Sequence, residues 1–446
     1  LQTTITVFVD TPVSIAGWGY THDHETSGAQ RLARIASQFP TPHFEVAVTR
    51  GRRVHIQLSD TLDQAHAVVD RLIRNRPHIQ PLTQLKDMVA HMGNIPLTPI
   101  HDPQLAKKVS SLWTLDVSYN PGLSIKDIMA RQMVDDALAS NRIVPGKTTI
   151  IEGTSGNTGA GLALVNLYYG FHTILVIPDK MSEEKIERLR SLGADVIVTP
   201  TQVEPHHPLS YYSIRDYVGT HPHTWVPQQY DNLSNTKAHY LTTGPSIWNG
   251  THKKVTKVII ATGTGGTVTG VARYLKENNA DIQVIGVDTI GSILYLLKRG
   301  YKIQDVAHLA HSYTIQGFGE DIQPKNLDLS LIDSYIRVSD ASGLLMTQVL
   351  PALGYFQGHS SGAVYAALLE AIETKQINPH DNVVIIFPDT VMPYRFDVMN
   401  DEWMRKNRFT LHNPQHDAMQ ADLARGGRAL GGHGKTMRAG AAAGHV

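Results

Sequence analysis

Thr148-Thr149-Ile150-Ile151-Glu152-Gly153-Thr154-Ser155-Gly156-Asn157-Thr158-Gly159 is the stretch on which the fold turns. A β-branched run, Thr148 to Ile151, ends in a glycine-rich turn and opens into an apolar-periodic segment. The same grammar returns at Val255 to Ile260, followed by Gly263-Thr264-Gly265-Gly266-Thr267-Val268-Thr269-Gly270. Each reads as a strand, a tight turn and a helix N-terminus. A helix N-terminus presents unpaired N–H groups and a partial positive charge, and glycine lets the backbone approach an oxyanion without a Cβ in the way. Both turns therefore have anion-binding character, and Gly265 and Gly266 are expected to keep the anion's path clear. A dinucleotide fingerprint begun at Gly263 and Gly265 fails at Val268, and no Gly-Lys-Ser/Thr follows to make a phosphate loop of the Walker type.

Outward from these turns, residues 80–409 alternate strands and helices, as a doubly wound parallel sheet in two subdomains would. Residues 1–79 carry a different order: a strand (Ile5 to Asp10), a helix (Ala29 to Gln38), two strands (Phe44 to Thr49; Val54 to Leu58) and a helix after Asp60. This βαββα pattern predicts a small α+β domain, similar to ferredoxin-like regulatory domains. Residues 410–446 are dominated by Gly, Ala, His, Arg and Gln without apolar period and are expected to be a disordered tail.

Forty basic residues balance forty acidic ones, so charge points to neither nucleic acid nor a membrane surface. The chain has no cysteine, which removes disulfides, thiolate nucleophiles and iron–sulfur ligation. Its most apolar long stretch, Gly161 to Pro178, is broken by Asn166, Gly170 and His172, and a cytoplasmic protein is expected. His22-Asp23-His24, His206-His207 and His221-Pro222-His223 lack helical ligand spacing, and no metal site is expected.

Lys126, in Ser124-Ile125-Lys126-Asp127, supplies a third piece. One glycine turn would hold a cofactor phosphate and the other a substrate carboxylate. A lysine able to lose its proton would form an imine with pyridoxal, whose ring is an electron sink. Taken alone, Lys126 reads as a solvated lysine at a helix start, and α/β proteins use glycine wherever a strand turns sharply into a helix. The combination is what carries the chemistry.

From Gly93 to Met404 the chain resembles the cysteine synthase and cystathionine β-synthase family, fold type II pyridoxal-phosphate enzymes. The matching motifs follow in order: Gly93 to Leu97, Asn120 to Asp127, Thr154 to Gly159, Met181 to Lys185, Leu192-Gly193-Ala194, Gln228 to Asn232, Thr242 to Pro245, Gly263 to Gly270, Ile315-Gln316-Gly317 and Pro388-Asp389-Thr390. The resemblance implies pyridoxal 5'-phosphate as cofactor and Lys126 as the internal-aldimine lysine and general base. It assigns Asn157 to the cofactor's ring oxygen, Gly263, Thr264, Gly265, Gly266 and Thr267 to its phosphate, and Ser360 to its pyridine nitrogen. Thr154, Ser155, Gly156, Thr158, Gln229 and Gly317 would hold the substrate. A serine hydroxyl cannot protonate the ring nitrogen as a carboxylic acid would, which implies a moderate electron sink suited to β-elimination and β-replacement.

The implied function is a β-replacement synthase, a transferase or lyase acting as a homodimer on amino-acid substrates. It would join serine, O-acetylserine or O-phosphoserine to a sulfur or amine nucleophile. A serine/threonine dehydratase of the same fold and a non-catalytic regulatory or scaffold protein are the alternatives; Gln229 and Thr242 to Pro245 favour replacement. Departures from the family pattern fall at Leu123 and His359, where glycines are usual, at Ile128, where an arginine is usual, and at Glu320-Asp321. The last two would either recruit a cationic second substrate or be solvated loop charges.

Overall fold

The structure is a computed structural model that describes Phe44–Val48, Arg52–Ile56 and residues 62–179, 181–200 and 207–409. Two six-stranded sheets organise it. In the first, β5 (Thr149–Gly153), β6 (His172–Pro178), β7 (Asp195–Thr199) and β8 (Thr224–Trp225) are parallel, in the order β7-β6-β5-β8. In the second, β4 (Ser111–Asp116), β9 (Lys257–Ala261), β10 (Gln283–Thr289), β11 (Ser334–Val338) and β12 (Asn382–Phe387) run parallel in the order β11-β10-β9-β12-β4, with β3 (Leu97–Pro99) antiparallel at the edge. The mixed α/β class of two doubly wound subdomains is as the sequence predicts.

Strands covered on both faces need apolar side chains on both, and the sequence supplies them: His172-Thr173-Ile174-Leu175-Val176-Ile177-Pro178 is buried throughout. One large core joins Ile259, Val287 and Ile385 to the helices Asp340–Val349 and His359–Glu373. Another places Val258, Ile260 and Val384 against the helices Lys126–Ala139 and Gly266–Asn278. The two glycine turns leave the carboxyl ends of β5 and β9, the edge at which open α/β sheets bind ligands.

The N-terminal strands are β1 (Phe44–Val48) and β2 (Arg52–Ile56). The second starts two residues before its predicted position, because the hairpin register pairs Val48 with Arg52. β1 also pairs antiparallel with β7, Val46 opposite Ile197, and so extends the first sheet. The helix Leu62–Arg74 inserts Val69 and Ile73 among Ile151, Ile174, Val176 and Ile197. Its Asp70 accepts a hydrogen bond from the Tyr217 hydroxyl at 2.8 Å and meets His221 Nε2 at 2.7 Å. The predicted strand Ile5 to Asp10, the helix Ala29 to Gln38 and the tail 410–446 lie outside the described residues. No helix among the described residues is long and apolar enough to cross a membrane.

Candidate active site

Lys126 begins the helix Lys126–Ala139, and a braced loop delivers it. Asn120 Oδ1 accepts from Gly93 N at 3.0 Å while its Nδ2 donates to Ser124 O at 3.0 Å; Ile125 N then donates to Pro388 O at 2.8 Å. Arg188 donates to the Gly122 carbonyl, and Gly122 N donates to Asp127. Burial pushes the Asp127 carboxyl up to about 7 in spite of those neighbours. Burial lowers the pKa of Lys126, and the negative charge of Asp389, joined by that of Glu320 when it is ionised, restores it only in part. An ammonium held below its ordinary range is easier to deprotonate, which an imine-forming or base lysine requires.

Facing it is the turn after β9. Gly265 takes φ +85°, a left-handed conformation that favours glycine, and caps the helix Gly266–Asn278. Lys126, Gly263, Thr264, Gly265, Thr267 and Gly317 line one cavity there. Thr267 Oγ lies 3.1 Å from His239 Nε2, and His239 Nδ1 lies 2.8 Å from Thr243 Oγ. Burial depresses the His239 pKa to about 3, so the ring is neutral, accepting a hydrogen bond from one hydroxyl and donating its N–H to the other.

The reason given from sequence for Gly265 and Gly266 needs correcting. A Cβ on Gly265 would stand 2.6 Å from the Leu327 side chain, and one on Gly266 would stand 2.0 Å from Asn235 Oδ1; both point into protein. These two glycines allow the turn to fold and pack. Gly263 is the one whose absent side chain leaves room at the cavity wall, its Cβ site lying 3.3 Å from Gly317 O and 3.6 Å from Glu320 Oε1.

The turn after β5 is held by its own hydroxyls. Thr154 Oγ accepts from Gly156 N at 3.0 Å and Gly159 N at 3.3 Å. Thr158 Oγ donates to Gln229 Oε1 at 2.7 Å, and Gln229 Nε2 donates to Gly153 O at 3.2 Å. Beneath them Glu152, buried and pushed up to about 7, accepts from Gly153 N and Gln229 N. Ser155 is exposed at the tip. Asn157 begins the helix Asn157–Tyr169 and donates to Asp389 Oδ2 at 2.8 Å. Tyr394 Oη donates to the same oxygen at 2.6 Å, and Ser360 Oγ lies 3.5 Å from Asp389 Oδ1. Asp389 thus gathers Asn157 from the first subdomain with Ser360 and Tyr394 from the second.

Residues named from sequence at distant positions, Lys126, Asn157, Gly263, Gly317 and Ser360, converge here; Thr154, Thr158 and Gln229 form the adjoining turn. Three participants had no assigned role: Asp389, Tyr394 and His239. Asp389 was signalled by the matched motif Pro388-Asp389-Thr390 just past the apolar run Asn382–Phe387, whereas Tyr394 and His239 act through contacts between separate elements. Of the departures, Ile128 is core, Leu123 sits at φ +59°, and His359 is buried, stacked on Tyr394 at 4.2 Å and 3.2 Å from Asp397. The acidic pair divides: Asp321 is exposed, whereas Glu320 turns inward, hydrogen-bonded to Tyr230.

Comparison with known proteins then bears on this arrangement. The profile of a family described as pyridoxal-phosphate dependent enzyme matches residues 89–389. The chain belongs to the pyridoxal-phosphate dependent enzyme family. Within that family it is 36% identical over 353 residues to cystathionine beta-synthase of Saccharomyces cerevisiae, covering 77% of this chain and 65% of that one. It is 38% identical over 283 residues to cysteine synthase 3 of Caenorhabditis elegans, covering 63% of this chain and 79% of the relative. A solved structure described as an O-acetylserine dependent cystathionine beta-synthase from Helicobacter pylori superposes with a TM-score of 0.60 at 33% identity, over 69% of this chain and 96% of that one. The chain spans 65% of the length of the yeast relative and 62% of that of a cystathionine beta-synthase of Mus musculus. The cofactor of this family is pyridoxal phosphate, as expected from the sequence.

Proposed function

We propose that this protein is a β-replacement synthase that joins a serine-derived amino acid, namely serine, O-acetylserine or O-phosphoserine, to a sulfur or amine nucleophile. The observation that carries the reading is Lys126, an amine with a lowered pKa on the cavity wall opposite the glycine turn that starts the helix Gly266–Asn278. The residues fit the cofactor. The first N–H groups of a helix lack carbonyl partners and suit a phosphate, and a Cβ at Gly263 would fill the space beside them. In this reading Gly263, Thr264, Gly265, Gly266 and Thr267 hold the phosphate, Asn157 the ring oxygen and Ser360 the ring nitrogen.

Bound there, pyridoxal phosphate supplies an electron sink for the substrate's α-carbon. The protein does the rest. Lys126 takes the proton from Cα and later returns it. Thr154, Ser155, Gly156 and Thr158, with Gln229 and Gly317, orient the substrate carboxylate, and the Thr158–Gln229 hydrogen bond pre-sets that turn. Asp389 fixes the directions of Asn157 and Ser360.

In the same reading the protein is a cytoplasmic homodimer, residues 1–79 form a unit added to a core of 80–409, and 410–446 form a tail. The test is to supply each serine derivative with hydrosulfide or homocysteine and identify products by mass spectrometry. A thioether or cysteine product supports the reading; a keto acid as the only product overturns it in favour of a dehydratase.

A further inference from the structure

Glu320 has no part in the roles assigned above, yet its position is tightly determined. Its N–H donates to Ser292 Oγ at 2.9 Å and its carbonyl accepts from Ile293 N at 3.0 Å. The preceding Gly319, at φ +81°, donates to Thr262 O at 2.8 Å, and its own carbonyl accepts from Tyr313 Oη at 2.8 Å. A backbone held on both sides sets the side chain behind the cavity wall at Gly263, with Oε1 3.6 Å from that residue's Cβ site, the carboxyl bonded to Tyr230, and its field reaching Lys126.

The groups around it compete. Burial and the charges of Asp321 and Asp288 favour the neutral carboxyl, while the Tyr230 hydrogen bond and the Lys126 ammonium favour the carboxylate. The first set prevails, and the Glu320 pKa is pushed up to about 8. Tyr211, Tyr212 and Tyr313 face the same carboxyl, and their hydroxyls stay protonated well above neutrality. A carboxyl that holds its proton at neutral pH, next to a lysine, is a proton donor in place.

We propose that Glu320 is the acid–base group for the substituent at the substrate's β-carbon, and that it suits the site to serine with a free hydroxyl. This rests on the β-replacement reading. As Lys126 removes the Cα proton, the Cβ–O bond breaks with its electron pair going to oxygen, and the Glu320 carboxyl proton passes to that oxygen to form water. The incoming thiol or amine then bonds to Cβ through its lone pair, its proton goes to the Glu320 carboxylate, and Lys126 returns a proton to Cα. Hydroxide needs that proton far more than acetate does, since acetate leaves as a stable anion. General acid assistance contributes about 10²–10⁴-fold, so it should decide which serine derivative is used.

The experiment compares kcat/KM for serine and O-acetylserine, with hydrosulfide as nucleophile, in wild-type holoenzyme and Glu320→Gln. The serine-to-O-acetylserine ratio is expected to fall by about 10²-fold in the variant. A second readout is independent of turnover. In infrared pH titration of the holoenzyme, the difference between wild type and Glu320→Gln should be one protonated-carboxyl band that outlasts those of Asp127 and Glu152 as pH rises, with its midpoint shifted upward in Tyr230→Phe. An unchanged ratio in an active enzyme, or no such band at neutral pH, overturns the assignment of Glu320 alone. A folded, cofactor-loaded wild type that converts neither substrate overturns the β-replacement reading, and this proposal with it.

Discussion

Two glycines separated by one residue have different duties, and substitution distinguishes them. Gly263→Ala adds a Cβ at 3.3–3.6 Å from Gly317 O and Glu320 Oε1, so the protein should fold while its affinity for pyridoxal phosphate drops. Gly265→Ala meets the Leu327 backbone at 2.7 Å and demands a left-handed alanine, a strain of about 1–3 kcal/mol before any clash is counted. It should lower the melting temperature with or without cofactor, and calorimetry on both forms checks the contrast. For Lys126→Ala, mass spectrometry after borohydride treatment should find no pyridoxal attached to the chain, whereas wild type should carry it on Lys126. The glycine pattern was readable from sequence because strand, turn and helix N-terminus are contiguous. Which way each missing Cβ points was not, since Leu327 and Asn235 arrive from other parts of the chain.

The loop 313–320 that presents Glu320 hangs from the N-terminus of the helix Asp340–Val349, whose Asp340 carboxylate accepts from Thr314 N at 2.7 Å and Ile315 N at 3.0 Å. Hydrogen bonds to a charged group contribute about 1.5–3 kcal/mol each, so Asp340→Ala should destabilise the protein by roughly 2 kcal/mol or more. Hydrogen exchange should quicken at residues 314–320 before it quickens in the sheets. The helices and parallel strands were legible as elements because buried Val and Ile runs alternate with amphipathic segments. The pairing of β1 with β7 was not legible, because about 150 residues separate the partners along the chain and only register in space joins them. Glu320 and Asp321 are equivalent by composition; the split between a half-buried and an exposed carboxyl is set by Gly319 and Ser292, a feature of the loop's shape.

At the scale of the molecule, the helix Leu62–Arg74 ties the N-terminal region to the first sheet. Burying a large apolar side chain contributes about 1.5–3 kcal/mol, so a chain begun at residue 80, which lacks Val69 and Ile73, should be less stable by roughly 3–6 kcal/mol than one begun at residue 61. Both should still bind cofactor, as cofactor absorbance against urea concentration would report. Burial alone would raise the Asp70 pKa, but hydrogen bonds from Tyr217 and His221, with the charges of His221 and Arg74, leave it below its ordinary value. Its contribution is thus present above the ordinary carboxylate pKa and fades as pH falls through the lowered one. In Asp70→Asn that acid-side loss of melting temperature should shrink.

The chain passes from the first sheet to the second between β2 and β3, returns between β4 and β5, and crosses again between β8 and β9. The last two crossings carry Lys126 and Gln229. A pull applied at Phe44 and at Lys406 would draw on β1, which lies between β2 and β7 in one sheet, and on the helix Asp401–Lys406 beyond the last strand of the other. Tension would therefore run through the seam between the halves, spanned by side-chain links such as Asn157 to Asp389 and Lys185 to Gln316. Polar links of this kind give way at smaller extensions than interdigitated sheets, so a molecule stretched in optical tweezers should shed its bound cofactor as the first discrete event, with both sheets still folded.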